Sequence, residues 1–240
     1  MVQAELDRYT VTHRTVNYLF HCMPGSMAER DIRRIGAYQE KWYARITQLL
    51  GVTRQEPIQY YLTDSPLDAG LIYGDGEPCN GFAWGSDTVV ATYSDEVFCL
   101  GGHEDTHILS LQIGRPASVF LREGLAMFVD EGWWGKSNGW WVAQFLEEGK
   151  YIPIATLTQD DLFFEHSTAI TYPIAGSFTQ YCWQTLGRDD YLQHLYGCKG
   201  DPADAVQEVF GRSLSKIDTS FRKWVQELNA PERLRDDIVF

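Results

Sequence analysis

The chain has 240 residues, 44% of them hydrophobic and 22% charged, with a formal net charge of −13. That is enough chain for a substantial core in one domain or two closely packed lobes. The acidic balance and the absence of a Lys/Arg run argue against a nucleic-acid partner, and the longest apolar runs fall far short of a membrane span.

The polar segment Met1–Asp7 lacks a secretory apolar region, which leaves a cytoplasmic protein or an exported one with its leader removed. Tyr9 to Phe20, rich in Thr, Val and Tyr and without breakers, predicts a strand. Pro24-Gly25 predicts a turn. Ser26-Met27-Ala28-Glu29 is a capping-box pattern opening a long helix with Ile32, Ile35, Trp42, Ile46 and Leu49 on its apolar face, and Gly51 ends it. Pro57 to Leu62 predicts a second strand. Residues 74–80 read as a loop whose Asp75 and Glu77 are too few for calcium. Gly81 to Tyr93 predicts one or two further strands, so the order before residue 100 is strand, helix, strand, strand.

His103-Glu104-Asp105-Thr106-His107 then reads H-E-x-x-H. Residues four apart share a helix face, so the two imidazoles can bind one zinc ion while Glu104 sits within reach of a water beside it. The motif is short, and its context must support it. The apolar residues Ile108, Leu109, Leu111 and Ile113, stopped by Gly114-Arg115-Pro116, make this a buried helix. A core helix with two satisfied histidines is the bland alternative, but two His and a Glu are expensive to bury unpaired. A catalytic zinc needs a third protein ligand. Sixteen residues past His107, Glu123 lies among Val119, Phe120, Leu121, Leu125, Ala126 and Phe128 in a second predicted helix starting near Ala117-Ser118. An acid so placed is coordinated, paired with an Arg, or turned to water.

H-E-x-x-H followed by a helix bearing Glu123-Gly124-Leu125-Ala126 resembles the gluzincin metallopeptidases, the thermolysin-like group called peptidase MA. The resemblance implies that His103, His107 and Glu123 hold one catalytic Zn2+ and that Glu104 is the general base. Thr171 to Phe178, ending at Leu186-Gly187, looks like the Y-x-x-G helix of zinc aminopeptidases, with Tyr172 as oxyanion donor; the Gly falls one residue later here, and a Tyr packed on the core is the alternative. Thermolysin carries an Asp four residues after its Glu ligand that orients a zinc-bound His. This chain has Met127 there, and Asp130 or a backbone carbonyl is left to orient a ligand His. In this family an edge strand borders the cleft and pairs with the substrate; Gly81, Phe82 and Ala83 fit that role, as they would a plain sheet strand.

The remainder predicts helices over Ser137–Gly149 and Thr168–Leu186, another opening at Asp201-Pro202 and a last one from Ser213. Tyr151 to Phe164 reads as an irregular linker, Trp133-Trp134 and Trp140-Trp141 as packing aromatics, and Arg233 to Phe240 as a loose charged tail. His13, His21 and His194 read as surface or satisfied residues, while His166 stands six residues before Tyr172. Of the five cysteines none forms C-x-x-C; free thiols are expected, with a Cys182–Cys198 bridge the alternative in an exported protein.

The resemblance implies an α+β fold: an N-terminal small mixed sheet with helices, the H-E-x-x-H helix among them, then a mainly helical lobe. Residues 1–240 would form a single catalytic domain, with an α/β lobe over about 1–114 and a helical lobe over about 115–240. The expected activity is zinc-dependent hydrolysis of peptide bonds. The lack of a G-x-M-E-N-type amine anchor favours an endopeptidase over an aminopeptidase. The alternatives are a silent zinc- or protein-binding module on the same fold, or a zinc hydrolase acting on a non-peptide amide or ester.

Overall fold

The computed structural model describes residues 1–116, 118–232, 238 and 240. Its contacts divide the chain into two units, Met1–Leu111 with Asp236–Phe240, and Gln112–Arg235.

In the first unit a short helix, α1 (Gln3–Leu6), precedes two strands, β1 (Val11–Arg14) and β2 (Tyr18–Cys22). The single strand expected over Tyr9 to Phe20 is therefore an antiparallel hairpin. Its turn has no Gly or Pro to announce it. It is fixed from a distance, by the Glu40 carboxylate accepting from Asn17 N at 2.8 Å and Asn17 Nδ2 at 2.6 Å. Glu40 lies on α2 (Met27–Leu50), which starts where its caps dictate. Ser26 Oγ accepts from Glu29 N at 3.1 Å, and Glu29 reaches back to Gly25 N. Gly51, at φ 69°, closes it in the left-handed region.

β3 (Ile58–Thr63), α3 (Pro66–Tyr73), β4 (Gly81–Trp84), β5 (Thr88–Thr92) and α4 (His103–Leu109) follow. The expected strand-helix-strand-strand order lacked both the hairpin and α3. The signal for α3 is present locally: Ser65 Oγ accepts from Asp68 N, Pro66 takes the first helical position and Gly74 the end. The sheet runs β1-β2-β3-β5-β4, parallel at β2–β3 and β3–β5 and antiparallel at both edges. A small mixed sheet is thus observed. Its central strands are the most apolar, β5 being buried at every position. Tyr18, Phe20, Ile35, Ile46, Ile58, Tyr60 and Leu62 form its core.

After a 3-10 turn (Ser110–Gln112), the second unit is mainly helical: α5 (Val119–Asp130), a small hairpin of β6 (Gly132–Trp133) and β7 (Lys136–Ser137), α6 (Asn138–Glu147), α7 (Ile154–Leu157), α8 (Asp160–Glu165), α9 (Thr168–Leu186), α10 (Arg188–Asp190), a π-helical turn (Tyr191–Tyr196), α11 (Pro202–Phe210) and α12 (Leu214–Glu227). The linker expected over Tyr151 to Phe164 is two short helices. Each is too short to show a period, and they are fixed by distant partners. Asp218 of α12 accepts from Tyr151 Oη at 2.7 Å and Ile154 N at 3.0 Å. Asp160 of α8 accepts from Val119 N at 2.9 Å, so it caps α5 from 41 residues away.

α5 and α9 cross at two glycines. A Cβ on Gly124 would lie 2.6 Å from Thr179 Oγ1 and 2.9 Å from the Ala175 carbonyl; one on Gly176 would lie 2.7 Å from Met127 Cβ. The Gly176 that falls one residue late for the aminopeptidase pattern is thus required by the helix crossing. None of the five cysteines is in a disulfide, so the Cys182–Cys198 bridge is absent. Most of the tail expected to be loose lies outside the described residues, but Phe240 packs edge-on against Tyr38 and Phe98, with the Arg34 guanidinium 4.1 Å over its ring. No helix among the described residues is long and apolar enough to cross a membrane.

Candidate metal centre

α4 carries the H-E-x-x-H residues on two distinct faces. His103, Glu104 and His107 are part-exposed, while Asp105, Thr106, Ile108 and Leu109 are buried. The imidazoles lie edge to face with centroids 5.1 Å apart, as neighbours one helical turn apart should. Glu123 is on α5, part-exposed beside the buried Gly124 and Leu125. One ligand atom each from His103, His107 and Glu123 lie within 4.8 Å of one another, the one such group among the described residues that could hold a metal ion. Ligands about 2.0–2.1 Å from a tetrahedral zinc stand about 3.4 Å apart. Two imidazoles with a carboxylate are a donor set that suits zinc.

Tyr172 lies in the second turn of α9, part-buried, its ring 5.6 Å from that of Trp133 and 6.0 Å from that of Phe163. Of the two hairpin aromatics, Trp133 packs on Tyr172 as expected, whereas Trp134 is 71% exposed. Gly81, Phe82 and Ala83 are on β4, the outermost strand of the sheet, paired on one side with β5. A Cβ at Gly81 would stand 2.8 Å from the Val90 carbonyl and 3.0 Å from Cys99 Sγ, so the glycine serves close packing of its own sheet. Asp130 ends α5, seven residues beyond Glu123 and about 10 Å along the axis. His21 is a satisfied residue: its Nε2 lies 2.9 Å from Gln59 Oε1 and its ring stacks on Tyr61.

Behind α4 lies a polar layer that the H-E-x-x-H motif does not announce. Asp105, Gln39, Tyr18 and Tyr60 are all buried in the first unit and bonded to one another. Burial first, and the Asp105 charge next, push both phenol groups well above their ordinary pKa, so each remains a hydroxyl donor. The signal in the sequence is Gln39 itself, a polar residue in the Ile35–Trp42–Ile46 stripe.

No protein-family model and no curated protein sequence matches the chain. Its fold is similar to that of an M1 zinc metallopeptidase mutant from Deinococcus radiodurans, with a TM-score of 0.51 and 12% identity over 95% of this chain and 53% of that one. The chain thus spans about half the length of that enzyme, and the likeness is one of fold.

Proposed function

We propose that this chain is a zinc-dependent peptidase of gluzincin type, its 240 residues serving as one catalytic domain. The observation that carries the reading is the convergence of His103, His107 and Glu123 within 4.8 Å. The fold likeness to a zinc metallopeptidase supports it independently.

In this reading His103, His107 and Glu123 hold the ion. Zinc, when bound, lowers the pKa of water and polarises the scissile carbonyl. Glu104, on the part-exposed face of α4, takes the proton of the attacking water and passes it to the leaving amine. Tyr172 donates its hydroxyl to the oxyanion that develops on the substrate. Its ring is held for this by Trp133 and Phe163. The β4 edge at Gly81–Ala83 pairs with the extended peptide through backbone groups. Asp130, acting through an intervening group, helps orient a ligand imidazole. The substrate is a peptide, cut internally.

Elemental analysis combined with a peptide-library digest tests this. One zinc per chain and cleavage are expected, and Glu104→Gln should keep the metal while losing about 10²–10⁴-fold in rate. Full activity in Glu104→Gln would refute the base assignment. Bound zinc without cleavage of any peptide would leave a binding module or a hydrolase of other amides and esters.

A further inference from the structure

α4 poses a mechanical problem. It has seven residues, its N-cap is Gly102 with no side-chain capping bond, and it follows Gly101 at φ 146°. Two turns of helix after two glycines have little intrinsic stability. Gly102 O accepts from Thr106 N at 2.9 Å and from Thr106 Oγ1 at 2.6 Å, bonds within the helix that do not set its rotation about its own axis. That rotation matters because an imidazole nitrogen sits about 6–7 Å from the axis, given a Cα radius of about 2.3 Å. A 20° turn would carry it about 2 Å sideways. Metal–ligand distances vary by only about 0.2 Å, so a rotation of that size would have to be taken up by imidazole torsions pushed away from their preferred rotamers.

The buried face of α4 supplies the restraint. Asp105 is two residues from each His, about 200° around the helix, and is fully buried. Its Oδ2 accepts from the Tyr18 hydroxyl and from Gln39 Nε2, the latter at 3.1 Å. The same Gln39 amide holds the peptide just upstream: Nε2 lies 3.0 Å from Gly101 O, and Oε1 accepts from Gly101 N at 3.2 Å. Gln39 is thus anchored to both ends of the Gly101–Asp105 segment. It is itself set by Tyr60 Oη, 3.2 Å from its Nε2, and by its place in the 24-residue helix α2. Tyr18 belongs to β2 and Tyr60 to β3, so helix and sheet both bear on α4.

We propose that Gln39 and Asp105 are positioning residues that set the rotation of α4 and so aim His103 and His107 at the metal. They touch neither substrate nor ion. The proposal rests on the zinc reading above. A carboxylate in the middle of H-E-x-x-H is then explained: its helical phase turns it away from the metal, onto the amide that holds the helix.

The test uses the full chain with Co2+ as probe and zinc affinity measured by chelator competition. Wild type should bind one Co2+ with a tetrahedral visible spectrum. Gln39→Leu and Asp105→Asn should shift those bands and weaken zinc binding about 10–100-fold, the size expected for groups that orient ligands. Ile46→Ala, a cavity on the same helix α2, serves as a control that lowers stability without touching the network. Unchanged bands and affinity in Gln39→Leu and Asp105→Asn, however far their melting points fall, would overturn the proposal. So would an equal affinity loss in Ile46→Ala. If either network variant fails to fold, Tyr18→Phe, which deletes one hydroxyl, carries the same comparison, and wild-type bands and affinity there would also overturn it. A wild-type chain that binds no cobalt would refute the zinc reading, and this proposal with it, before any substitution is read.

Discussion

Gly124→Ala places one methyl group at the crossing of α5 and α9. In an exposed helix the change would stabilise by about 1 kcal/mol, because alanine loses less backbone entropy on folding. At this position the new Cβ would stand 2.6 Å from Thr179 Oγ1 and 2.9 Å from the Ala175 carbonyl, both inside the distance real Cβ atoms keep. The second partner is backbone within the 19-residue α9 and cannot rotate away. Overpacking of this kind costs about 1–3 kcal/mol, and the backbone contact puts it near the upper end. The net expectation is destabilisation by about 1–2 kcal/mol, read by urea unfolding of the metal-free protein. Thr179→Ala removes the closer of the two contacts. The double variant should therefore lose less than the sum of the singles, although Thr179→Ala also forfeits the 3.2 Å hydrogen bond to Tyr191 Oη. A Gly124→Ala protein as stable as wild type would refute the argument that this crossing is set by glycine.

Glu123→Ala and His103→Ala should each abolish stoichiometric zinc, checked by elemental analysis, whereas Glu104→Gln should retain it. Asp160→Ala removes the cap on Val119 N and should cost about 1 kcal/mol in urea melts. Arg30 first, and then Tyr93, hold the Asp31 carboxyl below its ordinary pKa. Its folded pKa lies below the unfolded one, so the stabilisation is present above the unfolded value and lost as pH falls through the folded one. Asp31→Asn should therefore lower stability only slightly at pH 7, Arg30 being exposed, and the difference from wild type should vanish as pH falls through the folded pKa.

The parts of this molecule legible in sequence are those whose geometry one element determines. Ser26 and Gly51 bound α2 through their own side-chain and backbone preferences. The i, i+4 spacing of His103 and His107 brings their rings together on one short helix. Glu123 stands out in the sequence for a different reason, the cost of an acid in an apolar helix. What was missed is held by residues distant in sequence. The β1–β2 turn depends on Glu40, 23 residues past Asn17. The start of α5 depends on Asp160, and α7 depends on Asp218. None of these acids carries a local pattern, because a carboxylate capping a distant amide reads like any surface charge.

Asp105 is the sharpest case, because the motif that singles out His103 and His107 passes over it. H-E-x-x-H treats its third position as indifferent, and for the part-exposed side of the helix that carries His103 and His107 it is. Helical phase, however, turns that position toward Gln39 and Tyr18, where a charged group is tolerated only with several donors. An unusual residue at an indifferent motif position therefore points to the packing behind the site. The matching polar residue, here Gln39, is to be sought where it interrupts an apolar stripe elsewhere in the chain.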